Sequence, residues 1–261
     1  MRKTEPLVIK IAETKLDLTG VQEFMEKYNA ADWYNRVKPS QPNDGEFLIE
    51  LAGRACYKSY GVGLNPNVTK IREDSRDYLT NVLAKGDGSI LEHATVTFAF
   101  LNVSRVTTHE IVRHRAGTAI SQESLRYVRP QDISLWTPPD LQKVIREFEE
   151  AVEGITDHYH KLESKFDWDK MSFEEKKRVT SALRRILPDG IATNMIWTAN
   201  HRTLRWVIEM RTDPSAEVEI RKVFDQVAEI CIRDYPLLYG DFAKTQLADG
   251  TLQYTPKFSK V

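Results

Sequence analysis

Seven consecutive residues, Ala94-Thr95-Val96-Thr97-Phe98-Ala99-Phe100, alternate with period two and are rich in β-branched and aromatic side chains. Such a stretch is a strand with one buried face, so the rest of the chain has to supply an apolar cover for it. Amphipathic helices are the available cover. From Asp44 to Tyr60, Phe47, Leu48, Leu51, Ala52 and Ala55 recur at helical spacing, and residues 68–85 repeat the pattern through Ile71, Tyr78, Leu79, Val82 and Leu83 up to Gly86. Asp140 opens a long amphipathic helix running through Phe148, Val152 and Tyr159 to Leu162. Ser172 and Glu175 form a capping-box pattern for a helix that ends before Pro188. Asn200 caps a helix to about Arg211, and Asp213-Pro214 predicts the start of a last long helix stopping near Pro236.

Two more strands are expected, at 7–12 and 192–198. Ser104 is an N-cap for a helix running through Val106, Ile111 and Val112 towards Arg115, closed by Gly117, and residues 116–131 read as an ordered loop. Helices dominate and strands are a minority, so the class is α+β. No repeat or low-complexity linker divides the chain, which predicts one domain over 1–261.

Composition excludes several kinds of protein. With 37 Lys plus Arg against 38 Asp plus Glu, the chain lacks the bulk charge of a protein that coats nucleic acid or anionic membrane. Cys56 and Cys231 are too few for a disulfide framework or a cysteine-rich zinc site. Cys231 lies among Val227, Ala228 and Ile230, as a core residue would. The first 25 residues have no apolar signal-peptide core, and no run approaches a membrane span of roughly 20 residues, so a cytoplasmic protein is expected.

The near-neutral total hides an uneven distribution. Residues 105–129 and 184–211 hold ten of the nineteen arginines and none of the eighteen lysines. Guanidinium is a planar fork that grips phosphate or carboxylate through two parallel hydrogen bonds and stacks on flat rings, whereas ammonium is a flexible point charge. Arg113-His114-Arg115, at the end of the expected helix, would point in three directions about 100° apart, which a single solvated face cannot accommodate. Structural pairing with acidic neighbours remains the ordinary alternative for any one of these arginines.

The triplet, followed after eight residues by Ser124-Leu125-Arg126-Tyr127, resembles the signature of the flavin-dependent thymidylate synthases. Ser89-Ile90-Leu91-Glu92-His93 upstream, and Arg184, Asn200-His201-Arg202-Thr203-Leu204 and Arg211 downstream, match that family's order over about 85–240. The resemblance implies a central mixed or antiparallel sheet with long flanking helices. It also implies a homotetramer with sites shared between subunits, in which FAD passes hydride from NADPH while methylenetetrahydrofolate supplies the one-carbon unit that turns dUMP into dTMP. By position it places Ser89, Arg113, His114, Arg115, Gln122, Asn200, His201 and Arg202 at FAD. The substrate site would draw on Glu110, Arg113, Glu123, Ser124, Leu125, Arg126, Arg184 and Arg211, with Ser124, Arg126 and Arg184 at the phosphate. Arg211 would be the catalytic residue, set against the uracil edge to favour the N3-deprotonated base.

Some positions depart from the family pattern. Glu110 stands where Gln is usual, Asp87 where His is common, and Gln122 and Glu123 compete for one flavin-side role; Trp206 and Ser215 replace more usual polar residues. A carboxylate at 110 would repel a phosphate, so it should face the base, pair with an arginine or be protonated. These departures leave open a relative with altered one-carbon chemistry, such as hydroxymethylation. An arginine-rich nucleic-acid module is a further alternative, although stacking aromatics are sparse in the two windows. No metal site is expected, since His109 and His114 are five apart and His158 and His160 two apart.

Overall fold

The computed structural model describes residues 2–38, 43–61, 67, 70–259 and 261. Strands β1 (Arg2–Lys3) and β2 (Leu7–Glu13) lead into helices α1 (Leu18–Lys27), α2 (Ala31–Val37), α3 (Asp44–Tyr57) and α4 (Ser75–Lys85). The alternating segment is β3 (Thr95–Ser104), followed by α5 (Arg105–Ile111), β4 (Thr118–Gln122), β5 (Ser134–Leu135), α6 (Ile145–Glu163) and α7 (Phe173–Leu183). Then come β6 (Ala192–Asn200), α8 (His201–Arg211), α9 (Val218–Asp234), α10 (Pro236–Tyr239), β7 (Phe242–Gln246) and β8 (Leu252–Pro256). The chain is α+β, and its four-stranded sheet is antiparallel throughout, in the order β2-β3-β6-β4.

The apolar face of β3 does what its pattern requires. Val96, Phe98 and Phe100 are fully buried, and the register sets Phe98 opposite Trp197 and Phe100 opposite Met195 on β6. Phe224 of α9 meets Phe100 and Trp197 edge-on, and Leu204, Val207 and Ile208 of α8 complete the cover. Cys231 lies in this core with its thiol pushed well above the ordinary range by burial, as a packing residue rather than a nucleophile. Fully burying each such large side chain is worth about 2 kcal/mol, so this sheet–helix layer is the main source of rigidity behind the site.

Several boundaries differ from the sequence expectation, each for a local reason. Helix α5 stops at Ile111 rather than reaching Arg115, because Arg211 donates from outside to the backbone oxygen of Glu110 (3.2 Å) and to its carboxylate. Residues 118–122, expected as loop, form edge strand β4 on β6; Ile120 is their only large apolar residue, and a half-exposed edge strand needs no more. Helix α6 begins at Ile145 because Pro139–Val144 form a tighter 3-10 turn. Helix α9 begins at Val218, since Asp213 spends its carboxylate on the Ser215 N–H and hydroxyl, and Glu217 takes the cap instead. Helix α3 ends at Tyr57 with Lys58 in the left-handed region (φ 49°), and α4 starts at Ser75 with Asp74 as its N-cap. Residues 68 and 69, expected to open α4, lie outside the described residues.

Candidate active site

The Arg-His-Arg segment runs alongside α8 and is held at three levels. At the start of the helix, Asn200 donates its backbone N–H to the Gly117 oxygen (3.0 Å) and Thr203 donates its hydroxyl to Ala116 (2.7 Å). Asn200 is also the N-cap, accepting from the Thr203 N–H at 2.9 Å. Gly117 has φ +68°, and a Cβ there would sit 2.2 Å from the Asn200 amide nitrogen, so both its backbone and its bareness are required. Midway, the Trp206 ring meets His114 edge-on at 5.0 Å. At the end, Arg211 reaches back to both His114 and Glu110.

Beyond the end of α5 the triplet alternates, with His114 inward and buried and Arg113 and Arg115 outward and exposed. This replaces the expected helical fan of three directions. Neither arginine forms an ion pair among the described residues, which leaves two adjacent guanidinium forks free for an anionic group. His114 Nε2 accepts from Arg211 Nε at 2.8 Å, so its proton is assigned to Nδ1. That Nδ1–H is buried without a partner among the described residues, a donor left for a ligand. Burial, and then the Arg211 charge, push the His114 pKa down to about 4, so the ring is neutral at pH 7.

Arg211 closes the arrangement. It sits at the C-terminal end of α8, where the helix dipole favours a cation, and donates Nη1 to the Glu110 carboxylate at 2.8 Å. Burial raises the Glu110 pKa, Arg211 opposes that rise, and nearby Glu217 adds to it. The carboxylate at 110 therefore pairs with an arginine, one of the three outcomes open from sequence.

The other expected site residues fall into distinct surroundings. Ser89 is exposed on the 3-10 turn Gly88–His93, where a Cβ on Gly88 would lie 2.7 Å from Arg202 Nε. Arg202 is engaged with Glu92 (2.6 Å) and the Val261 backbone oxygen (3.1 Å). His201 departs most from a ligand-holding role. Its ring is fully buried against Tyr235 and Tyr239, with Nδ1 2.9 Å from the Tyr239 hydroxyl, so its side chain belongs to the core. Gln122 donates to Thr108 of α5 (3.1 Å), while Glu123 turns the other way and accepts from Asn194 (2.9 Å). Leu125 packs into the apolar cluster of Ile133, Leu135 and Val152.

Ser124 accepts from the Arg126 N–H at 3.3 Å, and neither residue hydrogen-bonds to Arg211, Glu110 or His114. Arg184 is exposed and close enough to Arg105 to help lower its pKa, after burial. Sequence reasoning gave no role to Arg105, Thr108, Asn194 or Thr203. Of these only Thr203, three residues after a capping Asn, carried a local signal.

A donor set that is cationic at its rim and neutral at its centre is the chemistry of an enzyme acting on small anions. Similarity to known proteins narrows that class. The family model described as thymidylate synthase complementing protein matches residues 40–237. The flavin-dependent thymidylate synthase of Mycobacterium tuberculosis (strain ATCC 25618 / H37Rv) is 35% identical over 214 residues, 79% of this chain and 83% of that one. That of Mycolicibacterium gilvum (strain PYR-GCK) is 34% identical over 249 residues, 93% of this chain and 95% of that one. Among solved structures, a UMP/dUMP methylase, PolB, from Streptomyces cacaoi bound with 5-Br dUMP shares the fold. Its TM-score is 0.63 at 17% identity, covering 92% of this chain and 96% of that one. The chain belongs to the flavin-dependent thymidylate synthase family.

Proposed function

We propose that this enzyme carries out reductive methylation of dUMP to dTMP, with FAD as cofactor and methylenetetrahydrofolate and NADPH as co-substrates. The observation that carries this reading is the chain Glu110–Arg211–His114, a guanidinium fixed at the rim of a site that also presents two unpaired arginines. Arg113, Arg115 and the unpartnered Nδ1–H of His114 fit an anionic, flat cofactor, and Ser89 is exposed on the neighbouring turn. FAD, when bound, supplies the redox chemistry that carries hydride from NADPH to the one-carbon unit.

The protein's own residues do the rest. Arg211 orients the uracil edge and stabilises negative charge at N3 without itself titrating. Neutral His114 holds Arg211 Nε in place without adding a competing charge. Glu110 partly neutralises the guanidinium. Ser124, Arg126 and Arg184 are assigned to the phosphate. Ser124 and Arg126 make no hydrogen bond to Arg211 within one chain, in keeping with a homotetramer in which subunits contribute to one another's sites. The unit is read as one domain in a cytoplasmic protein; among the described residues no helix is long and apolar enough to cross a membrane.

The test is the product formed from dUMP, methylenetetrahydrofolate and NADPH by protein carrying a flavin absorbance. A dTMP mass is expected. Glu110 opposite Arg211 favours one alternative, altered one-carbon chemistry, and a hydroxymethyl product would establish it. Colourless protein that cannot be reconstituted with FAD would refute both readings.

A further inference from the structure

Three side chains on one face of α8 hold Phe258, Ser259 and Val261. Glu209 accepts the Ser259 hydroxyl at 2.8 Å, Arg205 donates Nη2 to the Phe258 backbone oxygen at 2.9 Å, and Arg202 donates Nε to that of Val261 at 3.1 Å. Spacings of three and four residues put these side chains in one row, so the segment lies along α8 with Val261 at the helix's first turn. Asp241 fixes the start of the segment, accepting the Lys257 N–H on its backbone oxygen (3.0 Å) and the Phe258 N–H on its carboxylate (3.2 Å). Phe258 and Val261 also pack against the main apolar cluster.

Val261 also touches the turn that carries Ser89. A Cβ on Gly88 would collide with the Val261 carbonyl carbon and stand 2.8 Å from its oxygen and 2.7 Å from Arg202 Nε, so turn, segment and guanidinium meet with no room for a side chain. Glu92, on the same turn, takes Arg202 Nη1 at 2.6 Å. Arg202 is therefore gripped on two nitrogens, while Nη2 hydrogen-bonds to nothing among the described residues. Arg202 and Glu92 are each 46% exposed, and an ion pair so open to solvent adds little stability. Fixing a long side chain costs conformational entropy, which a ligand then does not have to overcome on binding.

We propose that the segment reaching Val261 is a positioning strap for the cofactor site: the Val261 oxygen, together with Glu92, fixes Arg202 so that Nη2 is presented to an anionic group of FAD beside Ser89. The inference rests on the proposed function, since it takes Arg202 and Ser89 to lie at FAD. Val261 acts only through Arg202, so the two contributions are not additive. FAD affinity is measured by flavin fluorescence quenching on flavin-free protein in four forms: the full chain, a chain lacking residues 260 and 261, Arg202→Ala, and the two changes combined. Near-UV circular dichroism checks the fold of each. Without the strap Arg202 must be ordered by the ligand, so the shortened chain is expected to bind FAD about three- to tenfold more weakly. In the Arg202→Ala background the same shortening is expected to change affinity by less than about twofold.

Equal weakening in both backgrounds would reveal a general effect on the fold and overturn the proposal. So would unchanged affinity on shortening the full chain, or tighter binding, which would make the segment a competitor for Arg202. In each of these cases the full chain still binds FAD, and the flavin reading stands. A full chain that takes up no FAD would overturn both. Should the shortened chain fail to fold, Gly88→Ala, whose methyl group drives Val261 away from Arg202, is expected to give the same pattern in the same cycle; equal weakening with and without Arg202 would overturn the proposal.

Discussion

Arg211 Nη1 lies 2.8 Å from the Glu110 carboxylate, joining the end of α8 to the end of α5 by an ion pair half withdrawn from solvent. The same guanidinium also holds the Glu110 backbone oxygen and His114 Nε2. All three guanidinium nitrogens are thus engaged before a ligand arrives, and the two ends of the pair cannot be altered independently.

Arg211→Lys keeps the charge and loses the fork. Turnover is expected to fall by about a hundredfold or more, the scale of losing a fixed donor at a developing anion. Flavin absorbance per subunit should stay near that of the wild type. Equal losses in both would contradict the role given to Arg211.

Glu110→Gln removes the charge facing Arg211 while retaining a hydrogen-bond acceptor. With its counter-charge gone, the guanidinium should bind the nucleotide more tightly, and KM for dUMP is expected to fall by about three- to tenfold. The wild-type carboxylate has a raised pKa, so protonation as pH falls through it should mimic the substitution. A KM that drops on acidification in the wild type but not in the variant is the diagnostic pattern in steady-state kinetics.

His114 titrates at about 4 in the folded chain, well below the ordinary histidine value of 6.5. Its depressed pKa means that the folded state binds fewer protons, so its contribution to stability is present above 6.5 and is lost as pH falls towards 4. Ring ¹⁵N NMR should show a neutral Nδ1–H tautomer with no titration between pH 8 and pH 5. A midpoint near 6.5 would mean the ring is not buried against Arg211.

Gly117→Ala forces a side chain into a left-handed position and onto the Asn200 amide. The variant should be destabilised by about 1–3 kcal/mol in urea unfolding and should bind flavin more weakly, since the turn carrying Arg113 and Arg115 hangs on this contact. Asn200→Ala, which removes the cap of α8, should cost about 1 kcal/mol in the same measurement.

Local chemistry made much of the frame legible. The alternation at 94–100 specified a strand and its buried face, Ser172 and Glu175 form the capping box they spell, and Asn200 caps α8. The boundaries that escaped were those decided from far away in sequence. Helix α5 ends where a guanidinium 101 residues along takes the Glu110 carbonyl in its last turn, and β4 is a strand only because β6 lies beside it. The candidate site divided the same way. Its arginines stood out as a cluster without lysine, but which of Arg113, His114 and Arg115 turns inward depends on α8, and His201 was drawn into the core by Tyr235 and Tyr239.

By itself the sequence determined the periodicities, the caps, the residue types able to hold anions, and the order of elements that marks the family. Those properties depend on a residue and its near neighbours in the chain, where spacing and chemistry are already complete. Only the tertiary structure decided that Glu110 faces Arg211, that His114 is neutral, and that His201 is buried against Tyr235 and Tyr239. Each of these depends on distance and desolvation between groups remote in sequence, and both quantities come into being only when the chain packs.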